Sequence, residues 1–156
     1  MNTCMICGEE ISREEAVKEY RDYLGNLKEN KKMKITTTNN RIRKMLMGMG
    51  VDPSLLGYKY LIDAVSLVYS DRGCLDKMTS VLYPRVAAMN ETTSSRAERA
   101  IRHAIERISD FNPYVYELFP APPANGCDKY TNSQFIAYCA EILKMEDDEM
   151  EVFENA

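Results

Sequence analysis

The apolar positions of residues 92–108 follow the spacing of an amphipathic helix. They recur at i, i+3, i+4 and i+7, and they are Ala97, Ala100, Ile101, Ala104, Ile105 and Ile108. The opposite side carries Arg96, Glu98, Arg99, Arg102, His103, Glu106 and Arg107. Thr93 is the expected N-cap, and Ser95 with Glu98 offers an alternative capping box one turn later. The pattern predicts a helix with a strongly basic polar face.

The segment before this helix predicts another helix. Its apolar stripe consists of Leu75, Met78, Leu82, Val86 and Met89. Pro84 should kink or restart this helix, because proline has no N–H for the preceding turn. The polar residues 90–92 then link the two helices. A helix, a short turn and a second helix with basic first turns form the pattern of a helix-turn-helix.

Four further stretches predict helices in the same part of the chain. They cover residues 42–49, ended by Gly48 or Gly50, residues 57–68, residues 113–119, and a last stretch opened by the T-x-x-Q capping box of Thr131 and Gln134. Residues 57–68 are nearly all apolar, so this helix should lie at the centre of the core. The expected fold is therefore all-α, a compact domain of about six helices that contains a helix-turn-helix.

The N-terminal region predicts one helix and a linker. Ser12 and Glu15 form a capping box, and Gly25 is expected to close the helix. Its apolar strip (Ala16, Val17, Tyr20, Tyr23 and Leu24) could pack on a neighbour or pair two chains. Residues 28–34 hold four lysines and predict a solvated linker, or alternatively a basic arm that touches phosphates. We therefore expect an extension at 1–38, a domain at 39–145 and a frayed acidic tail at 146–156.

Length and cysteine content indicate how many domains the chain has and in which compartment the protein works. The 156 residues suit one domain with a small appendage. The chain has no apolar run near the roughly 18 residues that span a bilayer, and it has no apolar leader segment. Five cysteines without an export signal favour free thiols in a reducing compartment. We expect a cytoplasmic protein.

The net charge of −4 is unevenly distributed along the chain. Residues 72–107 contain seven basic and four acidic side chains, whereas residues 141–154 contain seven acidic side chains and one lysine. The acidity is thus concentrated near the C-terminal end. A positive face that binds nucleic acid is compatible with this distribution.

Cys4 and Cys7 form a C-x-x-C-G sequence that looks like half of a zinc ribbon. Tetrahedral zinc needs four ligands, and the other candidate ligands (Cys74, Cys127, Cys139 and His103) are scattered. Two interpretations remain, a zinc site shared between two chains or an exposed segment without metal. A redox C-x-x-C is disfavoured, because no βαβ pattern surrounds it.

Four motifs together resemble one known family. SRAERAIRHAIE is preceded by LYPRVA and by GYKYLIDAVSLVY (57–69), and it is followed by TNSQFIA (131–137). This order is similar to the C-terminal DNA-binding effector domain of the stage zero sporulation protein A family, over about residues 40–145. Members are response regulators that command sporulation in spore-forming bacteria. The resemblance implies an all-helical domain that binds a short DNA box with a guanine-bearing core, often as a head-to-tail pair on tandem boxes.

The N-terminal part departs from that family. There a receiver domain with a phosphorylated aspartate precedes the effector domain, whereas here about forty residues precede it. A receiver needs roughly a hundred residues or more, so we expect phosphorylation control to be absent. The resemblance also implies contact with RNA polymerase sigma factor near residues 113–126, although the proline-rich loop at 120–126 differs from the family.

The resemblance assigns roles to individual residues. The recognition-helix motif maps onto Ser95, Arg96, Glu98, Arg99, Arg102 and His103. Arg96 and Arg99 would donate to guanine edges, whose paired acceptors match a guanidinium. Glu98 would accept from a cytosine amino group or fix an arginine, and Arg102 and His103 would contact base or phosphate. Phosphate positioning falls to Ser95, Lys129, Thr131, Asn132 and Ser133, with a plain helix cap as the alternative for the residues at 129–133.

These observations predict a sequence-specific DNA-binding transcriptional regulator. Two other interpretations stay open. The basic face could simply be solvated, or the chain could be an interaction module or antagonist that pairs with a full-length regulator through Tyr20, Tyr23 and Leu24. We do not expect an enzyme, because the single histidine has no nucleophile placed near it by spacing.

Overall fold

The structure is a computed structural model that describes residues 2–3, 10–108, 113–119 and 129–155. In these ranges the α-helices are α1 (Arg13–Gly48), α2 (Leu56–Ser70), α3 (Tyr83–Met89), α4 (Ser94–Glu106), α5 (Pro113–Leu118) and α6 (Asn132–Glu154). A 3₁₀ segment (Arg72–Lys77) and one π-helical turn (Met78–Leu82) join α2 to α3. The strands β1 (Asn2–Thr3) and β2 (Glu10–Ile11) pair antiparallel, with Asn2 opposite Ile11. Apart from these short strands the regular elements of the described ranges are helices, and the prediction of an all-α fold is confirmed.

The chain divides into two compact units, Met1–Thr37 and Thr38–Ala156. The second unit contains the hydrophobic core. Its largest fully buried side chains are Ile42, Leu46, Met49, Val51, Leu61, Val65, Val68, Leu82, Ile101, Phe135, Ile136 and Leu143. In the first unit the described large apolar side chains of α1 are 39–67% exposed, and they are Val17, Tyr20, Tyr23, Leu24, Leu27, Met33 and Ile35.

Helix α2 is the centre of the second unit, as its continuous apolar sequence predicts. It packs against both α4 and α6. Leu61, Ala64 and Val65 are completely buried in it. Full burial of a leucine or valine side chain stabilises the folded state by about 1.5–3 kcal/mol. This helix therefore provides the apolar base on which α4 is seated.

Gly57 of α2 allows an unusually close approach of α4. A Cβ atom at this position would lie 2.0 Å from the carbonyl oxygen of Ala100 and 2.7 Å from the Cβ of Ala104. Both neighbours belong to α4, and the first is backbone that cannot rotate away. The two helices consequently touch through main-chain atoms at this point.

The prediction that α1 ends at Gly25 is wrong. Helix α1 continues through Gly25 and through the lysine-rich residues 28–34, which were expected to be a linker. The polar residues 36–40 are helical as well, and the division between the two compact units falls among them, after Thr37. Glycine in a helix costs only about 1 kcal/mol relative to alanine, and the neighbouring lysines and leucines are good helix formers. The hydroxyls of Thr36 and Thr37 donate to the carbonyls of Lys32 and Met33 at 3.0 Å, so these threonines are satisfied within the helix.

Both ends of α1 follow local sequence rules. The capping box of Ser12 and Glu15 is present, and the Ser12 backbone N–H lowers the pKa of the Glu15 carboxyl by donating to it. At the other end Gly50 has a φ of 82°. The N–H of Val51 donates to the carbonyl of Leu46 at 3.0 Å, which completes a Schellman motif. Of the two glycines proposed to end this helix, Gly50 is the one that does so.

The stretch before α4, which was expected to be a single helix from Leu75 to Met89, consists of three segments. Residues 72–82 form the 3₁₀ segment and the π-helical turn, and α3 starts only at Tyr83. Pro84 occupies the first turn of α3, where its missing N–H needs no acceptor. The prediction that this proline restarts the helix is confirmed.

The acidic end of the chain was expected to fray, but α6 continues to Glu154. The guanidinium of Arg41 binds Asp147 and Glu146, each at 2.7 Å, and donates to the carbonyl of Leu143 at 2.9 Å. Tyr69 also donates to Asp147. These contacts anchor the start of the acidic segment, and the helix geometry then continues beyond them.

Candidate nucleic-acid interface

A tight four-residue connection, residues 90–93, joins α3 to α4. Glu91 has a φ of 51°, the left-handed conformation common just after a helix, and the N–H of Thr92 donates to the carbonyl of Ala87 at 3.0 Å. The Asn90 side chain donates to Asp63 of α2 at 2.6 Å. Thr93 then accepts from the Arg96 N–H and begins α4. Thr93 is thus the N-cap, and the alternative box of Ser95 and Glu98 is not used.

Helix α4 has one buried and one exposed side. Ala97, Ile101, Ala104 and Ile105 are buried in the core. With 3.6 residues per turn, Arg99 lies at the centre of the opposite side. Exposed around it are Ser95, Arg96, Arg102, His103, Glu106 and Arg107. The basic face expected from the sequence is therefore exposed, and all of the recognition-motif residues except the half-buried Glu98 project from it.

The exposed face of α4 contains a charge pair. Glu98 and Arg102 form an i, i+4 ion pair in which the Arg102 side chain is 58% exposed and that of Glu98 is 30% exposed. Of the two roles expected for Glu98, fixing an arginine is the one found in this structure.

A cavity of about 880 Å³ lies between α4, the π-helical turn and the start of α6. We call it the α4/α6 groove, and its lining residues are Met78, Thr79, Tyr83, Glu98, Arg102, Glu106, Lys129, Tyr130, Thr131, Asn132 and Ser133. It brings the residues expected at phosphates near position 130 together with Glu98 and Arg102. Arg96, Arg99 and His103 do not line it. The sequence gives no signal for this cavity, because its walls come from three separate segments.

Two of the expected phosphate residues are engaged in capping. Thr131 is the N-cap of α6, and the capping box with Gln134 is complete. The Lys129 ammonium donates to the carbonyl of Glu106, at the end of α4, at 2.8 Å. This lysine therefore binds a carbonyl of the last turn of α4, a role that the sequence did not suggest. Ser133 is half-buried in the first turn of α6.

Asn132 has a structural role that the sequence did not suggest, beside its predicted contact with phosphate. Its side chain is buried, and its amide donates to the Tyr83 hydroxyl at 3.1 Å and to the Glu98 carbonyl at 3.2 Å. Both donors of this amide are used inside the protein, so they are not available to DNA. Burial raises the pKa of Tyr83, which therefore stays protonated. The side chain of Asn132 joins α3, α4 and α6 behind the basic face.

The proposed metal ligands Cys4 and Cys7 lie outside the described residues. Within the described ranges, no group of three or more histidine, cysteine or acidic side chains is arranged to hold a metal ion. Cys74 and Cys139 are buried, and burial raises the pKa of the Cys139 thiol strongly. No helix among the described residues has the length and apolar character needed to cross a membrane.

Comparison with known protein families gives a match over most of the second unit. Residues 42–143 match the family described as Sporulation initiation factor Spo0A C terminal. The matched region is about two thirds of the chain and includes α2, α3, α4 and α5 together with about the first half of α6. This family comprises DNA-binding effector domains of sporulation response regulators, and the domain is DNA-binding rather than catalytic.

Proposed function

The chain belongs to the Spo0A C-terminal family, and from this membership we propose that it is a sequence-specific transcriptional regulator that binds double-stranded DNA through α4. Helices α3 and α4 act as a helix-turn-helix, with α4 as the recognition helix in the major groove. The regulator works in the cytoplasm.

The basic exposed side of α4 is the observation that carries this proposal. Arg96, Arg99 and His103 project from a helix whose other side is packed into the core. A major groove about 12 Å wide admits an α-helix of this kind. A rigidly seated helix also presents its side chains without a large ordering cost on binding.

The residues divide into base readers and phosphate ligands. Arg96 and Arg99 donate to guanine, and His103 contacts base or phosphate. Ser95, Thr131 and Ser133 lie at the N-terminal ends of α4 and α6, where hydroxyls and free backbone N–H groups suit a phosphate. Lys129 contacts a DNA phosphate from its exposed position beside the Glu106 carbonyl, because its ammonium group has two further N–H donors.

The direct test is selection from randomised duplex DNA, with sequencing of the retained pool at two salt concentrations. We expect enrichment of a short box with a guanine-bearing core. A pool that stays random at both salt concentrations, with binding that depends only on salt, would contradict sequence-specific binding.

Two substitutions separate base reading from phosphate contact. Arg99→Ala should reduce the preference for the selected box over its mismatched variants by about 1–3 kcal/mol. Lys129→Ala should weaken binding to the box and to random duplex by the same factor. Fluorescence anisotropy on both duplexes measures these effects. Equal losses on both duplexes for both variants would contradict this division of roles.

A second candidate function is favoured by the exposed strip of α1. Tyr20 and Tyr23 are each 57% exposed and Leu24 is 39% exposed, which suits an interaction module that pairs with a full-length regulator. A pull-down with such a regulator, compared between the wild type and a Tyr20→Ser/Leu24→Ser variant, tests this alternative.

The proposed DNA-binding function has three further parts. The protein binds tandem boxes as a homodimer, and it contacts RNA polymerase sigma factor. A zinc ion is shared by Cys4 and Cys7 of two chains.

A further inference from the structure

The last part of α6 lies beyond the residues that match the family. The match ends at residue 143, whereas α6 continues to Glu154, and residues 148–155 are all exposed. We call residues 148–154 the acidic end of α6. It has four negative charges and no positive charge, on Asp148, Glu149, Glu151 and Glu154. Negative charges are unfavourable at the C-terminal end of a helix, so they do not serve to stabilise α6 itself.

Three carboxylates of the acidic end form a stripe along the helix. Asp148, Glu151 and Glu154 stand at i, i+3 and i+6, so successive members are about 4.5 Å apart along the helix axis. The exposed face of α4 has a stripe with the same spacing, formed by Arg96, Arg99 and Arg102. The two stripes have opposite charges and match in length and spacing.

The arginine stripe has donors available for a partner. Arg96 and Arg99 are exposed. Arg102 pairs with Glu98 through its Nη2 atom, but a guanidinium has five N–H donors, and this side chain is 58% exposed. All three arginines can therefore bind a further carboxylate.

The two stripes of one molecule cannot meet. The start of α6 lies against α4, where Asn132 donates to the Glu98 carbonyl. At 1.5 Å per residue, Asp148 lies about 24 Å and Glu154 about 33 Å further along α6. These separations are at least about three Debye lengths at physiological ionic strength. A contact between the stripes therefore requires two molecules.

We propose that the acidic end of α6 of one copy binds the arginine stripe of α4 of a second copy and blocks that stripe for DNA. The two helices run antiparallel, because the negative end of the α6 dipole then lies at the positive end of the α4 dipole. Arg99 is opposite Glu151 of the second copy. The outer pairs are Arg96 with Glu154 and Arg102 with Asp148.

This pairing differs from a homodimer on tandem boxes, in which both α4 helices contact DNA. Here one α4 is covered by protein, so pairing and DNA binding exclude each other at that helix. Because two different surfaces are joined, association can continue beyond a dimer. The block of DNA binding rests on the proposed function, whereas the pairing itself does not.

Sedimentation velocity of the full chain without DNA tests the pairing. At about 50 mM salt the weight-average sedimentation coefficient should rise with protein concentration, and at about 0.5 M salt it should stay at the monomer value, because ion pairs are screened. Glu151→Gln/Glu154→Gln should abolish the rise. Glu14→Gln/Glu29→Gln is the matched control, since it makes the same charge change at exposed positions of α1, and it should leave the rise unchanged.

Charge exchange tests the antiparallel register. Arg99→Glu alone should abolish the rise, because it places two carboxylates opposite each other. Arg99→Glu/Glu151→Arg restores opposite charges and should recover at least about half of the rise. Arg96→Glu/Glu151→Arg has the same net charge but mismatched positions, so it should stay monomeric. Equal behaviour of the two double variants would overturn the register.

Competition with DNA tests the block. Arg96→Gln/Arg99→Gln lacks the base-reading arginines but keeps its own acidic end. When it is added to dilute wild type at the dissociation constant of the pairing, the apparent affinity of the wild type for the selected box should fall about twofold, because half of the arginine stripes are then occupied. The same competitor with Glu151→Gln/Glu154→Gln should have no effect, and equal competition by both would overturn the block.

The outcomes separate the inference from the proposed function. A wild type that stays monomeric at low salt, or association that Glu151→Gln/Glu154→Gln leaves unchanged, would overturn the pairing and leave DNA binding intact. Association that is lost only in Tyr20→Ser/Leu24→Ser would overturn it as well, because the copies would then pair through α1. If selection enriches no DNA box, the proposed function and the block fail, while sedimentation still decides the pairing.

Discussion

The two compact units of the chain use the same residue types in different ways. In Thr38–Ala156, Leu61 and Asn132 are buried and Gly57 lies against α4. In Met1–Thr37, Leu24, Gly25 and Asn26 follow one another on α1 and are exposed. The comparison teaches that a residue's effect on stability depends on what surrounds it, and matched substitutions in the two units test this directly.

Leucine gives the largest expected contrast. Leu61→Ala removes a completely buried side chain from α2 and should lower the free energy of unfolding by about 2–5 kcal/mol. Leu24→Ala, at an exposed position of α1, should change it by less than about 0.5 kcal/mol. Urea unfolding followed by near-UV circular dichroism of the aromatic cluster around Phe119 reports on the second unit. If Leu24→Ala lowers the free energy of unfolding by an amount that grows with protein concentration, the chain forms a dimer through α1.

Glycine gives the next contrast, and the two substitutions should have opposite signs. Gly57→Ala places a methyl group 2.0 Å from the Ala100 carbonyl oxygen, so α2 and α4 must separate, at a cost of about 1–3 kcal/mol or more. Gly25→Ala meets no atom within 4 Å and should stabilise α1 by about 0.5–1 kcal/mol. Thermal unfolding followed by near-UV and far-UV circular dichroism measures both effects. Destabilisation of equal size at the two positions would show that the close approach has no special importance.

Asparagine gives the smallest contrast. Asn132→Ala leaves the Tyr83 hydroxyl and the Glu98 carbonyl without their donor, which should lower the free energy of unfolding by about 1–3 kcal/mol. Asn26→Ala, on the exposed part of α1, should be neutral or slightly stabilising, because alanine is the better helix former. The same urea titration serves for both variants. If Asn132→Ala leaves the free energy of unfolding unchanged, this amide does not hold the three helices together.

The parts of the fold predicted from the sequence are those that neighbouring residues determine. The N-cap at Thr93, the capping box of Thr131 and Gln134, and the restart of the helix at Pro84 all depend on contacts within one turn. The buried position of α2 followed from its own composition. Local chemistry is sufficient for such features, because no distant residue competes with it.

The wrong predictions concern features that distant residues or small energy differences determine. The helical acidic end is anchored by a contact between Arg41 and Glu146, which are 105 residues apart. The continuation of α1 through Gly25 is a balance of about 1 kcal/mol between one glycine and its neighbours, and the sequence pattern alone does not resolve this.

The sequence predicts which residue types are exposed at the candidate site better than it predicts how their side chains are arranged. The exposed arginines of α4 follow from helical periodicity, and the Glu98–Arg102 pair is compatible with i, i+4 spacing. The engagement of Lys129 with the Glu106 carbonyl and of Asn132 with Tyr83 depends on how α6 packs against α3 and α4. No spacing rule connects positions 49 residues apart, such as Tyr83 and Asn132.

The main-chain contact at Gly57 limits how DNA preference can change during evolution. Since α4 touches the backbone of α2 there, the tilt and depth of the helix cannot drift without disturbing the core. New binding preferences must arise by exchanging outward side chains on an unmoved helix axis. A library screened for altered boxes should therefore yield replacements at Arg96, Arg99 and His103, while Gly57, Ala100 and Ala104 remain invariant among the survivors.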